Sequence, residues 1–242
     1  MLFLNIGMPR SGTLWRYNIV RDFVMAGGGK DGLEIRKKYL LFPFIDLPNA
    51  DLNTTKPKRL FPAALPSLFG ESYVLNTHSK PSVYAASMME KGQLKAVYGF
   101  RDPRDCILSI LEYGKKALPQ YSNKFLEVKS VKQAVEYMKV YVNIWEAWTS
   151  QEGALVVRFE DMLTNYPAFV DQLVQYLEID LIPEQKERIA NTYLPKQKAK
   201  NDRPTHLSHG VAHRFREKFT EEEQAYLLES YQPILERMGY EI

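Results

Sequence analysis

A single cysteine, Cys106, stands among 242 residues, so neither an intramolecular disulfide framework nor a cysteine-rich zinc site can form. With eight methionines beside it, a reducing compartment is the simpler setting. Charge of one sign is also scarce: 32 Lys and Arg against 29 Asp and Glu leave a net +3. That is too little for a protein that coats nucleic acid, yet enough for a local anion pocket. No run approaches the ~18 apolar residues that cross a bilayer. Met1–Ile6 lacks the basic start and longer apolar stretch of a secretory signal and reads as a first strand. The expectation is a cytoplasmic, soluble chain with no membrane and no nucleic-acid partner. What is present is 45% hydrophobic residues against 25% charged, a composition that buries a core and excludes wholesale disorder.

Short apolar runs alternate with amphipathic segments. Leu2–Ile6, Tyr73–Leu75, Leu94–Phe100 and Ala154–Phe159 read as strands. Thr13–Met25, Pro81–Glu90, a segment opening at Pro103, Val131–Thr149, Pro167–Leu177, Pro183–Tyr193 and Thr220–Met238 read as helices. This alternation predicts an α/β fold, a parallel sheet covered on both faces, within one domain spanning 1–242. Two stretches interrupt it. Residues 26–72 carry Pro43, Pro48, Pro57, Pro62 and Pro66 among Phe and Leu, and are expected to wall an acceptor pocket. Residues 195–218 form either a solvated basic loop or a flap over a phosphate, since Lys196 to Lys218 holds seven basic and two acidic residues.

Two motifs carry the chemistry. Gly7-Met-Pro-Arg-Ser-Gly-Thr13 falls between a predicted strand and a predicted helix. There, backbone N–H groups and the helix N-terminus make an anion nest, with Ser11 and Thr13 adding hydroxyl donors and Arg10 the charge. The stretch nearly spells the nucleotide loop GxxxxGK(S/T), but Thr13 follows Gly12 and the lysine is missing. The bland alternative is a strand–turn–helix corner that binds nothing. In the second motif, Arg101 leaves a strand end and Ser109 lies roughly two helical turns on, so both can reach one anion. The alternative pairs Arg101, Asp102, Arg104 and Asp105 among themselves as a surface ion-pair cluster, and for Arg104 and Asp105 that reading is preferred.

These motifs resemble those of the sulfotransferases that use 3′-phosphoadenosine 5′-phosphosulfate (PAPS). Met8–Trp15, MPRSGTLW, resembles the family's 5′-phosphosulfate loop PKSGTTW, and Arg101–Ser109, RDPRDCILS, resembles its 3′-phosphate motif RNPRDVxxS. Val157–Leu163, VRFEDML, resembles the strand motif containing Tyr-Glu-Asp, and Ser208–Thr220 loosely resembles the carboxy-terminal RKGxxGDWKNxFT loop. The four occur in family order. The resemblance implies a P-loop-like three-layer fold with a central parallel sheet flanked by helices. It also implies transfer of a sulfuryl group to a hydroxyl or amine of a small organic acceptor, leaving adenosine 3′,5′-bisphosphate (PAP), without a metal.

Residue by residue, the resemblance assigns Arg10 to the 5′-phosphosulfate and to the charge building on the bridging oxygen. Backbone groups of Ser11, Gly12, Thr13 and Leu14 would hold the 5′-phosphate, and Trp15 would either stack on adenine or pack in the core. Arg101, Ser109, His209, Gly210 and Arg214 would surround the 3′-phosphate. His78, in Leu75-Asn-Thr-His-Ser-Lys-Pro81, matches the family's KTHLP segment, where the histidine takes the acceptor's proton, work suited to an imidazole. Asn76, Thr77, Glu34 and Tyr113 are acceptor-pocket candidates, with Glu34 a substitute base. Asn76 stands where the family usually has a lysine on the transferring sulfuryl group, Phe159 replaces a tyrosine, and Ser208 replaces an arginine for which Arg214 and Arg216 could substitute. His206, His209 and His213 do not make a metal site, because no carboxylate or cysteine completes one and the surroundings are basic. Two rival readings are a small P-loop kinase using ATP and magnesium, and a non-catalytic adenosine-bisphosphate sensor. The family's dimerisation motif is not recognisable, and the oligomeric state stays open.

Overall fold

The computed structural model describes residues 1–116, 124–195 and 211–242. Four parallel strands, β1 (Leu2–Gly7), β2 (Tyr73–Thr77), β3 (Leu94–Phe100) and β4 (Leu155–Arg158), form one sheet in the order β2-β1-β3-β4. β1 is central, with Asn5 beside Asn76 on one flank and Gly7 beside Gly99 on the other. All six residues of β1 and all five of β2 are buried, which is why they read as continuous apolar runs rather than alternating ones.

The helices in chain order are α1 (Thr13–Ala26), α2 (Gly32–Lys38), α3 (Pro57–Leu68), α4 (Val83–Glu90), α5 (Pro103–Lys116) and α6 (Val131–Thr149). There follow α7 (Phe159–Thr164), α8 (Tyr166–Leu177), α9 (Pro183–Thr192), α10 (Phe215–Lys218) and α11 (Glu221–Arg237). Arg16 of α1 lies against Gly99, whereas Trp148 of α6 stacks on Tyr98 at 6.4 Å. Neighbouring residues of a strand face opposite ways, so α1 and α6 cover opposite faces and the architecture has three layers. Ser130 and Thr220 cap α6 and α11 through their side chains, the latter as a full capping box with Glu223.

The 26–72 stretch is more structured than its prolines suggested. It contains α2 and α3, and residues 50–52 pair with the outer edge of β2: Leu52 N–H donates to Asn76 O (2.7 Å) and Asn76 N–H to Ala50 O (3.0 Å). Strand β4 ends at Arg158, and Phe159, expected at the strand end, instead opens α7. Of the 195–218 stretch, only Pro195 and 211–218 lie among the described residues, the latter including α10.

Candidate functional site

The carboxyl ends of β1, β2 and β3 converge on the loop from Gly7 to Gly12. Because β1 is central, its two neighbours deliver one motif on each side: β2 runs into His78 and β3 into Arg101. The loop backbone is left-handed at Arg10 (φ 67°) and at Gly12 (φ 71°), flanking Ser11, the alternation that turns successive N–H groups toward one point. Gly12 caps α1 with no side-chain hydrogen bond, so the first-turn N–H groups of that helix receive no capping acceptor from that position. A Cβ at Gly12 would stand 2.8 Å from the Phe159 ring, so that glycine is required for shape as well as for φ.

The hydroxyls expected to face an anion face inward instead. Ser11 Oγ donates to Met8 O at 2.8 Å and Thr13 Oγ1 to the same carbonyl at 3.1 Å, both buried. Buried loop carbonyls must be satisfied, and these hydroxyls are the nearest donors. They stiffen the loop, and the groups left that could meet an anion are backbone N–H groups and Arg10. Leu14 is half-buried against the core.

Arg10 reaches across to the second motif. Its Nε donates to Ser109 Oγ at 2.9 Å and its guanidinium lies 4.8 Å from the centre of the Tyr113 ring. Tyr113, expected in an acceptor pocket, therefore cushions the loop's cation. Burial pulls the Arg10 guanidinium below its ordinary value. No carboxylate pairs with it among the described residues.

Arg101 is placed beside the loop, with its Nη1 donating to Arg10 O (3.3 Å) and its guanidinium 4.5 Å from the Phe159 ring centre. It is also engaged by Asp105: Arg101 Nη2 donates to Asp105 Oδ2 at 2.9 Å and to Val211 O at 3.0 Å, while its Nε is buried without a partner. Burial draws the Arg101 guanidinium down, but the Asp105 carboxylate outweighs it and holds the value above the ordinary one. Asp105 further accepts from the N–H groups of His213 and Phe215, so this one carboxylate docks the 211–215 segment onto α5. Arg104 pairs with Asp102 at 2.8 Å, so the ion pair forms as expected, but both partners are buried rather than at the surface. Arg214 forks onto Glu112, with Nη2 and Nη1 at 2.6 and 3.0 Å, so its donors face a carboxylate. His206, His209 and Gly210 lie outside the described residues, as does Tyr121.

On the other flank, His78 Nδ1 lies 2.7 Å from Gly7 O. A carbonyl can only accept, so Nδ1 carries a proton, and in the neutral imidazole the lone pair is then on Nε2. Thr77 is fully buried and exchanges a hydrogen bond with Ser79 Oγ at 3.2 Å. Glu34 is exposed in the first turn of α2. The carboxylate of the 26–72 stretch that the sheet does carry toward His78 is Asp51, through its bridge to Asn76. Burial pushes the Asp51 carboxyl up, and His78 and Arg59 draw it partly back.

Trp15 takes the core-packing alternative in this structure. It is 1% exposed, stacks on Tyr166 at 5.7 Å and donates from Nε1 to Tyr193 O at 2.9 Å. Its neighbour Arg16 went unnoticed in the sequence. Arg16 is completely buried; its Nε donates to Asn5 Oδ1 at 2.9 Å, its Nη2 to Ile6 O at 2.5 Å, and its Nη1 has no partner. Burial pulls it down to about 9, still charged at neutral pH. A Cβ at Gly99 would stand 1.7 Å from Nη1, so the glycine of β3 makes room for the guanidinium. The sequence signal was a charge set between Trp15 and Tyr17, both buried in α1.

Residues 3–239 match the family model described as the sulfotransferase domain. Cytosolic sulfotransferase 12 of Arabidopsis thaliana is 24% identical over 199 residues, covering 74% of this chain and 56% of that protein, so the chain spans little over half the length of this relative. Among solved structures, retinol dehydratase in a complex with retinol and PAP superposes with a TM-score of 0.61 at 17% identity, covering 97% of this chain and 80% of that one. A mouse sulfotransferase complexed with PAP gives 0.57 at 16% identity, covering 97% and 83%. At such identities these two likenesses establish the P-loop-like fold.

Proposed function

Because the chain belongs to the sulfotransferase domain family, we propose that it transfers a sulfuryl group from PAPS to a hydroxyl or amine of a small organic acceptor. The observation that carries this reading is the uncapped N-terminus of α1, bracketed by His78 on Gly7 O and by Arg10 on Ser109. One end of the bracket suits a base and the other a phosphate. Bound PAP in the structural relatives and the small molecule retinol in one of them support the same assignment.

In this mechanism the first-turn N–H groups of α1 and the backbone of Ser11, Gly12 and Thr13 hold the 5′-phosphate. His78 Nε2 takes the acceptor's proton as the acceptor oxygen or nitrogen bonds to sulfur. The bond from sulfur to the phosphate oxygen breaks, and Arg10 stabilises the charge left on that oxygen, the kind of term that is often largest. Asn76 contacts the sulfuryl oxygens. Arg101 and Ser109 select the 3′-phosphate, with Arg101 exchanging part of its hold on Asp105; His209 and Gly210 are assigned to the same subsite, and Arg214 stays on Glu112. Among the described residues Arg101 Nε is buried without a partner, which fits an anion here. A single buried cysteine supports a cytoplasmic setting.

The test compares PAP with AMP by thermal shift and then measures transfer from PAPS to an aliphatic alcohol. PAP at ~100 times its dissociation constant contributes about 2.7 kcal/mol, and AMP much less. His78→Ala lowers turnover about 10²–10⁴-fold with PAP affinity retained. Equal shifts from PAP and AMP overturn the 3′-phosphate subsite. Magnesium-dependent ATP turnover instead identifies a kinase, and PAP binding without transfer a sensor.

A further inference from the structure

We propose that Arg16 and Asn5 are positioning residues that hold the Asn76 amide with its NH₂ group toward the transferring sulfuryl oxygens. The inference rests on the sulfuryl-transfer reading above and adds to it how an asparagine can serve at that position.

The argument is one of hydrogen-bond polarity. Arginine has donors only, and Arg16 Nε meets Asn5 at Oδ1 (2.9 Å). The other end of Asn5 must then be its nitrogen, which donates to Thr13 O at 3.1 Å and to Asn76 Oδ1 at 2.8 Å. Thr13 O can only accept. A donor-only anchor and an acceptor-only anchor thus agree, so the orientation of the Asn5 amide is forced rather than chosen. It in turn fixes Asn76: with Oδ1 held by Asn5, Nδ2 is the free end, and it has no partner among the described residues. Asn76 is two residues before His78 and in register with Asn5, itself two residues before Gly7.

The polarity matters because a primary amide is two-faced. Turned over, Asn76 would aim Oδ1 at an anionic sulfuryl group and repel what it now attracts. A lysine has no such ambiguity; an asparagine needs its orientation imposed. This accounts for a fully buried guanidinium that has no carboxylate partner among the described residues, an arrangement costly in desolvation.

The decisive variant is Asn5→Asp. It keeps an acceptor for Arg16 and forms a buried ion pair, but it can no longer donate to Thr13 O or to Asn76 Oδ1. Single-turnover transfer from PAPS is expected to fall about 10²–10³-fold, the usual loss for one oriented donor at a developing charge. PAP affinity is expected to stay unchanged, since PAP has no sulfuryl group. In an Asn76→Lys background the same Asn5→Asp change is expected to cost little further, because a lysine ammonium donates without needing its orientation imposed. Arg16→Lys, which keeps a donor, is expected to retain transfer that Arg16→Met loses. Wild-type transfer rates in Asn5→Asp, or an equal loss in both backgrounds, overturn the relay alone. Absence of transfer by the wild-type protein overturns the parent reading, and the relay with it.

Discussion

Two groups of arginines stand at the carboxyl end of the sheet, and they are neutralised in opposite ways. Arg101, Arg104, Arg158, Arg214 and Arg216 each have a carboxylate within 3.1 Å: Asp105, Asp102, Asp161, Glu112 and Glu241. Arg10 and Arg16, at the loop and beneath it, have hydroxyl, amide and carbonyl partners but no ion pair among the described residues. The paired group works as a fastening. Arg104 donates to Glu241 O and lies 4.2 Å from the Phe215 ring, and Arg158 donates to Gly239 O, so it ties the carboxy-terminal residues to the ends of β3 and β4. Of the unpaired group, Arg16 is fully buried on Asn5 and Ile6 O, and Arg10 is the one proposed to meet a ligand. Arginine count alone says little about anion binding; the absence of a resident counter-ion says more.

The contrast predicts that the two groups fail differently when mutated. The largest effect belongs to Asp102→Ala, which strands Arg104 inside the protein. Removing one partner of a buried pair costs about 3–5 kcal/mol, read as a fall in the urea midpoint, while the folded fraction still binds PAP. If the midpoint does not move, the fastening role is wrong.

Arg10→Ala comes next and inverts that pattern. Stability in the absence of ligand should hold or rise slightly, since an unpaired, largely buried charge is removed. Sulfuryl transfer should drop about 10²–10³-fold with weaker PAP binding. Loss of stability with normal transfer would place Arg10 with the fastening group.

Arg214→Ala should have the smallest effect and sharpens the boundary between the groups. As the partner of Glu112 it should cost at most about 1 kcal/mol of stability and leave PAP affinity unchanged. A roughly tenfold loss of PAP affinity, about 1.4 kcal/mol, would instead show that Arg214 leaves Glu112 for the 3′-phosphate. Isothermal titration with PAP distinguishes the two.

Much of the fold was legible in advance. β3 and α6 match their predicted bounds because each is a local pattern bounded by clear signals, an apolar run in one and a helical stripe behind Ser130 in the other. α3 was not legible. Pro62 and Pro66 lie inside it and argue against a helix, yet Leu60, Ala63 and Ala64 bury one of its faces and tertiary packing prevails over propensity. In the site, the loop and the second motif were found by spacing, and their side-chain partners were not. Ser11 and Thr13 turned inward because Met8 O needed donors, and Arg101 found Asp105 one helical turn away.

The sequence by itself determined where a strand turns into a helix through a glycine-bearing loop, because such a turn is a short-range arrangement that neighbouring residues settle among themselves. Only the tertiary structure decided which charges remain available there. Whether an arginine is free depends on carboxylates far along the chain, as Arg214 and Glu112 show across 102 positions. Which way an amide points depends on a strand, a helix and a second strand meeting at Asn5. Hydrogen-bond polarity and charge pairing are properties of contacts, and contacts between distant residues exist only once the sheet has formed.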